Sequence, residues 1–108
     1  MLIQNSKVCP PIADLHCDLL LYLSLDRKRT PYDPPVRCSI PQLRQGNVKI
    51  QTMAIYTETV EGSVKSGISQ VEAFLNLLKN HSDVFERIQE NSNKIGIIPA
   101  IENASAFL

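Results

Sequence analysis

The chain has 108 residues and a mass of 12.1 kDa, which is enough for one modest domain with a single hydrophobic core and too short for two. Its 11 Lys and Arg residues are balanced by 11 Asp and Glu residues, which gives no electrostatic reason to expect binding to nucleic acid or to an anionic membrane. Hydrophobic residues make up 44% and charged residues 20% of the sequence, as in an ordinary soluble globular protein. We therefore expect neither a nucleic-acid partner nor a membrane partner.

The cysteines bear on the cellular compartment. Cys9, Cys17 and Cys38 form no C-x-x-C pair, and their odd number argues against a disulfide framework and for a reducing compartment. The apolar run at residues 19–25 follows two aspartates instead of a basic segment, which is not typical of a signal peptide. No stretch approaches the ~18 apolar residues of a membrane span. The sequence therefore predicts a cytoplasmic protein.

The first element contains the segment IADLHCD, residues 12–18, in which ionisable side chains alternate with others. Its first five residues predict a strand, and Asp14, His16 and Asp18 would then line one face. Burying three ionisable groups on one face is costly unless something pairs with them. Cys17 would point to the opposite face, where we expect it to pack and not to bind a ligand.

Two short helices and a long loop are predicted next. Residues 19–25 fit a short helix or an extension of the apolar segment. Four prolines between residues 27 and 41 exclude a regular element there and predict a long loop. The second short helix should follow, because Ser39 is a suitable N-cap, Gln42 its capping-box partner and Gly46 a suitable stop.

Two further apolar runs, residues 48–57 and 94–102, predict buried strands. Between them, apolar residues at helical spacing predict a helix from Ile68. This stripe consists of Val71, Phe74, Leu75 and Leu78, and after residues 80–83 it continues through Val84, Phe85 and Ile88. One helix or two would fit. The alternation of strands and helices predicts an α/β protein with a parallel sheet.

Parallel sheets of this kind place their ligands beyond the carboxyl ends of the strands. His16, Asp18 and Glu102 lie at or just beyond such ends. A His-x-Asp pair offers an imidazole nitrogen and a carboxylate oxygen to one point, which suits Zn²⁺ or a similar divalent ion. A glutamate from a neighbouring strand can bridge two ions, and two ions ~3.5–4 Å apart can activate a water. The pattern therefore indicates metal-assisted hydrolysis, with Asp14 as a residue that orients His16.

The same residues also have simpler interpretations. His16 could be a hydrogen-bonded histidine at a strand end, and Asp18 the N-cap of the leucine-rich segment. Glu102 could be a solvated carboxylate or the N-terminal charge of a following helix. Asp14 could be simple strand-end polarity, and His81 a surface residue near a helix break.

Three stretches in order resemble one enzyme family. DLHCDLL, from residue 14, resembles the D-G-H-x-D-L opening of the renal (membrane) dipeptidases, zinc peptidases of the amidohydrolase-like barrel superfamily. SIPQLRQGNVKIQTMAIYT, from residue 39, is similar to the family segment D-L-P-R-L-R-E-G-G-V-G-A-Q-F-W-S. IGIIPAIENASAF, from residue 95, is similar to the family strand end G-I-E-G-G. Leu15 stands where the family has a glycine, and Asn103 with Ala104 replaces its glycine pair.

The resemblance implies a fold and an activity. The fold would be the first three βα units of a (βα)8 TIM-type barrel, with residues 1–108 forming the amino-terminal part of a single barrel domain. His16 and Asp18 would bind one zinc, and Glu102 would bridge both of the two zinc ions that hydrolyse dipeptides. The later family histidines and the substrate-contacting arginine have no counterpart here, and a complete barrel takes ~250 residues. We therefore assign no catalytic residue in this segment beyond the metal ligands.

This incompleteness leads to expectations for the 108-residue chain alone. Three ligands shared over two ions should bind zinc weakly, and an unpaired first strand should favour self-association. The chain alone should therefore be inactive. The main alternative is a non-catalytic α/β interaction module that lacks a complete metal site. A single-metal enzyme of the same superfamily is less favoured, since many of these begin with His-x-His and position 18 is Asp.

Overall fold

The computed structural model describes residues 10–87 and 93–102. In these ranges the elements are, in chain order, β1 Ile12–Asp14, α1 Leu19–Ser24, α2 Ile40–Gln45, β2 Val48–Ile55, α3 Ser63–Asn80, β3 Phe85–Glu86 and β4 Ile95–Ile101. The four strands form one sheet in the order β1-β2-β4-β3, and every neighbouring pair is parallel. The predicted α/β class with a parallel sheet is confirmed.

The hydrophobic core lies between the sheet and the helices. Met53 of β2 and Ile97 of β4 are fully buried, as is Leu20 of α1. Phe74 and Leu77 of α3 pack into the same cluster. Removing this apolar surface from water is the main force that holds the helices against the sheet.

Helix α2 begins and ends where the sequence predicts. Ser39 occupies the N-cap in extended conformation, and its backbone N–H donates to Oε1 of Gln42 at 3.0 Å. Gly46 takes the C-cap, and its N–H donates to the carbonyl of Gln42 at 3.0 Å. The capping box is therefore confirmed, and it fixes a helix of only six residues that buries Ile40 and Leu43.

Helix α3 is longer than predicted, and its buried face is different. It begins at Ser63, directly after Gly62, whose φ of 91° is a left-handed conformation that favours glycine. Gly67 and Gln70 lie on its buried face with the core residues. Ile68, where the helix was predicted to begin, is 51% exposed, and Leu75 of the predicted stripe is 54% exposed. That part of the prediction was wrong because the pattern of apolar residues does not show that a glycine and a hydrogen-bonded glutamine occupy the buried face.

The helical continuation after residues 80–83 is also wrong. Val84 and Phe85 are buried as expected, but Phe85 pairs with Ile95 in the two-residue strand β3. The backbone turns at His81, whose carbonyl accepts hydrogen bonds from the N–H groups of Val84 at 3.0 Å and Phe85 at 2.9 Å. Ile88 lies outside the described residues.

The remaining predictions differ from the structure at the ends of the elements. β1 stops at Asp14, two residues early, while β2 stops at Ile55 and β4 at Ile101. Residues 19–24 form the short helix and do not extend the strand. The proline-rich segment is irregular as far as Ser39, apart from a 3-10 turn at Pro34–Val36, and its last two residues, Ile40 and Pro41, begin α2. Within the described ranges, no helix combines the length and apolarity needed to cross a bilayer.

Candidate metal centre

His16 and Asp18 do not lie on the face of a strand, because residues 15–18 are irregular. The predicted strand face shared by Asp14, His16 and Asp18 is therefore wrong. Its consequence for the side chains nevertheless holds, since His16 and Asp18 are exposed and Cys17 between them is only 4% exposed. The carbonyl of Cys17 accepts a hydrogen bond from the N–H of Ala54 at 2.9 Å, which attaches this segment to β2.

Glu102 reaches the same edge from the other side of β2. It follows β4 directly, and its backbone N–H donates to the carbonyl of Ile55 at 3.1 Å. β2 lies between β1 and β4 in the sheet. The carboxyl ends of these three neighbouring parallel strands therefore bring the segments with His16, Asp18 and Glu102 together.

The three side chains contact one another. Nε2 of His16 lies 3.2 Å from Oδ1 of Asp18, and Nδ1 of His16 lies 3.0 Å from Oε1 of Glu102. Each of the three residues offers one potential metal-binding atom, and these three atoms all lie within 4.8 Å of one another. The side chains are 54%, 58% and 40% exposed for His16, Asp18 and Glu102. The cluster is thus open to solvent and to a ligand.

The cluster combines groups that can bind a cation. Two carboxylates flank one imidazole. A divalent ion bound here would accept an imidazole lone pair and carboxylate oxygens.

The donor set fits zinc. Histidine nitrogen and carboxylate oxygen are common zinc ligands at ~2.0–2.2 Å, and two tetrahedral ligands at such distances lie about 3.4 Å apart. The 3.2 Å between His16 Nε2 and Asp18 Oδ1 is close to that value. Glu102 faces the other ring nitrogen, so its carboxylate must reorient to share an ion with the pair. Within the described residues the cluster offers three ligands, fewer than two zinc ions require.

The structure shows which groups Asp14 and Asp18 contact, which the sequence left open. Oδ1 of Asp14 accepts a hydrogen bond from the backbone N–H of His16 at 3.3 Å, so Asp14 contacts the main chain of His16 and not its ring. Asp18 precedes α1 but makes no side-chain hydrogen bond to it. Capping therefore does not explain Asp18, and its carboxylate instead contacts His16.

The other histidine and two surface clefts lie apart from the cluster. His81 is half-buried, and its ring centroid lies 6.0 Å from that of Tyr32. It lines a cleft of about 530 Å³ between α1, the proline-rich loop and α3, together with Arg29 and Asn76. A second cleft of about 300 Å³ lies beside Tyr56. His16, Asp18 and Glu102 line neither cleft.

Sequence reasoning missed the residues that hold the loops around this edge. Gln70 is fully buried, and its amide accepts from the N–H of Tyr56 at 2.9 Å and donates to the carbonyl of Tyr56 at 2.6 Å. It thereby fastens the segment after β2 to α3. The signal in the sequence was a single polar residue at a core-facing position of the helix.

The proline-rich loop depends on Asp33. Its carboxylate accepts hydrogen bonds from the backbone N–H of Thr30 at 2.9 Å, the hydroxyl of Tyr22 at 2.8 Å and the hydroxyl of Thr30 at 2.9 Å. These donors hold the pKa of Asp33 below its usual value, with the backbone N–H of Thr30 contributing most. The same contact with Asp33 raises the pKa of Tyr22.

Two of the cysteines are adjacent across this loop. The Sγ atoms of Cys17 and Cys38 lie 2.6 Å apart, although the residues are 21 positions apart in the chain, and no disulfide joins them. The thiol of Cys17 donates to Cys38, which lowers the pKa of Cys38, while that interaction and burial raise the pKa of Cys17. Sequence spacing gave no signal for this pairing.

No protein-family model and no curated protein matches the chain. The resemblance to the dipeptidases therefore stays a prediction that rests on the three quoted stretches.

Proposed function

We propose that this chain is the amino-terminal part of a zinc-dependent dipeptidase and contributes the first ligands of its metal site. One observation carries the proposal. His16 and Asp18, after the first strand, meet Glu102, after the last, at a single edge of a parallel sheet. The His-x-Asp pair and the glutamate follow the two strands that flank β2, so they meet at the edge where parallel sheets place their ligands.

The sheet is consistent with the start of a barrel. β1, β2 and β4 are parallel neighbours, and helices lie between them along the chain. The first three strands of a (βα)8 barrel have this arrangement, and the active sites of such barrels lie at the carboxyl ends of the strands. The two-residue strand β3 is a small addition at the outer edge of β4.

Each residue of the cluster has a role in the proposed reaction. His16 and Asp18 would hold a zinc ion, and Glu102 would supply a further carboxylate ligand to the same centre. Asp14 fixes the backbone position from which His16 extends. When bound, the metal ions supply the Lewis acidity that polarises a dipeptide carbonyl and activates water. The remaining ligands would come from outside the described residues. The cytoplasmic location is a separate prediction, which rests on the cysteine usage.

The competing function is a non-catalytic interaction module, and the exposure of β4 favours it. Ile98 is 45% and Ile101 54% exposed, so the carboxyl-terminal half of this strand presents apolar surface. In the barrel interpretation, later strands and helices cover this surface. In the module interpretation, a partner protein covers it and the cluster binds no metal that matters for function.

Dipeptide hydrolysis by the natural-length protein separates the two functions. We expect hydrolysis that stops when a chelator removes the metal and returns with zinc. His16→Ala and Glu102→Gln should lower kcat/KM at least ~100-fold, since even residues that only orient ligands cost 10–100-fold. The matched controls are His81→Ala and Glu61→Gln, which change the same residue types away from the cluster. Hydrolysis that persists in the His16 and Glu102 variants would refute the proposal.

A further inference from the structure

We propose that Cys17 and Cys38 form a reversible disulfide, which a peroxide closes and a low-molecular-weight thiol reopens. The bond would tie the proline-rich loop to the segment that contains His16 and Asp18. The proposal goes beyond the hydrolytic function and does not depend on it, because the two sulfur atoms lie together whether or not a metal binds.

The positions of the sulfur atoms carry the inference. Their separation of 2.6 Å is only about half an ångström longer than the ~2.05 Å bond of a disulfide. Disulfides fail to form when the backbone must move to bring the sulfur atoms together. Here the folded backbone already holds the two sulfur atoms next to each other.

The backbone on each side is fixed in a way that preserves this approach. Cys17 is attached to β2 through its carbonyl, and its Sγ accepts a hydrogen bond from the N–H of Leu19 at 3.4 Å. Cys38 follows Arg37, a non-glycine residue at φ 66° whose N–H donates to the carbonyl of Pro34 at 3.0 Å. This left-handed residue ends the 3-10 turn and redirects the chain toward Cys17. The approach of the sulfur atoms is therefore built into two defined backbone segments.

The burial of the pair suggests which sulfur reacts first. Cys17 is 4% exposed, whereas Cys38 is only partly buried and is the more accessible to a small oxidant. The attacking atom is thus Cys38 Sγ, and the adjacent Cys17 Sγ is the resolving thiol.

The chemistry balances with one peroxide. The Cys38 thiolate attacks one oxygen of hydrogen peroxide, the O–O bond breaks, and a sulfenic acid and hydroxide form, the hydroxide taking up a proton to become water. The Cys17 thiol then attacks the sulfenic sulfur, an S–S bond forms, the S–O bond breaks, and a second water leaves. Two thiols are oxidised and one peroxide is reduced. Two equivalents of a thiol such as glutathione reverse the reaction by exchange.

Peptide mapping tests the bond directly. The natural-length protein is prepared with Cys9→Ser, because Cys9 and Cys17 share one tryptic peptide. It is exposed to one equivalent of hydrogen peroxide, alkylated under denaturing conditions and digested. We expect a reducible link between the peptide that contains Cys17 and the peptide CSIPQLR that begins at Cys38. Full alkylation of both cysteines after peroxide, or links only between separate molecules, would overturn the proposal.

Thermal unfolding provides the second readout. Closing a loop of this length should raise Tm by roughly 5 °C or more, because the cross-link restricts the unfolded chain. The rise should occur on oxidation of Cys9→Ser protein and be absent from the double variant Cys9→Ser, Cys38→Ser. Cys38 is the better position for this control, since Cys17 is in the core and its replacement could prevent folding. An equal rise in the double variant, or none in either protein, would contradict the proposal.

Discussion

At the scale of single residues, side chains that are distant in the sequence come into contact in the folded chain. The sequence predicted that His16, Asp18 and Glu102 lie close together, because the carboxyl ends of neighbouring strands in a parallel sheet converge. The contacts of Asp33 with Tyr22 and Thr30 were not identified. They occur inside an irregular loop, where no periodicity predicts which side chains meet.

Asp33 leads to a prediction about pH. Its pKa is lower in the folded protein than in the unfolded chain, so the folded state binds fewer protons and stability rises with pH. The contribution is fully present above the ordinary aspartate pKa of about 4 and is lost as pH falls through the lower folded value. Asp33→Asn should lower Tm by a few degrees at neutral pH and remove this part of the acid sensitivity.

The measurement is Tm of both proteins between about pH 6 and about pH 3, a range that brackets the ordinary pKa. Asp26→Asn, in the same loop, is the control, since Asp26 accepts only from the backbone N–H of Lys28 among the bonds of its carboxylate that the structure records. If Asp33→Asn and the wild type lose stability in parallel as pH falls, Asp33 does not hold the loop through its ionised form.

At the scale of secondary-structure elements, capping residues predicted helix ends more accurately than apolar periodicity predicted buried faces. The capping box of α2 was predicted residue by residue because Ser39 and Gln42 interact within a single turn. The buried face of α3 was predicted only in part, because burial of Gly67 and Gln70 depends on what the rest of the fold places against them. The ends of β1 and β2 were predicted too late by two residues each, since strand ends depend on the neighbouring strand.

The buried face of α3 observed in the structure can be tested with two adjacent residues. Phe74 is 4% exposed and Leu75 is 54% exposed. Phe74→Ala should lower the free energy of unfolding by about 3–5 kcal/mol, because it leaves a cavity in the core. Leu75→Ala should cost about 0.5 kcal/mol or less, as for exposed positions generally. Chemical denaturation of the two variants measures both values, and similar costs would show that Leu75 is covered in the protein.

At the scale of the whole molecule, the parallel sheet has an edge strand and an apolar strand end that are partly exposed. Among the described residues β1 pairs only with β2, and Ile12 at this edge is 44% exposed. The α/β class was predictable from the order of the elements. Closure into a barrel stays a prediction, since the described residues form one four-stranded sheet.

The exposed edge predicts that the isolated 108-residue polypeptide self-associates. Ile12→Lys should shift it toward the monomer in sedimentation velocity, because a charge on an edge strand opposes pairing. Val64→Lys, at a 52% exposed position on α3, is the control and should leave the association unchanged. A wild-type polypeptide that sediments only as a compact monomer would refute this prediction.

The measurement that tests the central claim most directly is the zinc content of the natural-length protein after equilibrium dialysis. We expect about two zinc ions per chain in the wild type and in His81→Ala, as in a binuclear metal site. His16→Ala, Asp18→Asn and Glu102→Gln should each lose zinc, whereas the 108-residue polypeptide should bind it only weakly. A wild type without zinc, or cluster variants that retain it in full, would show that the contacts of His16 with its two carboxylates serve only the folded structure.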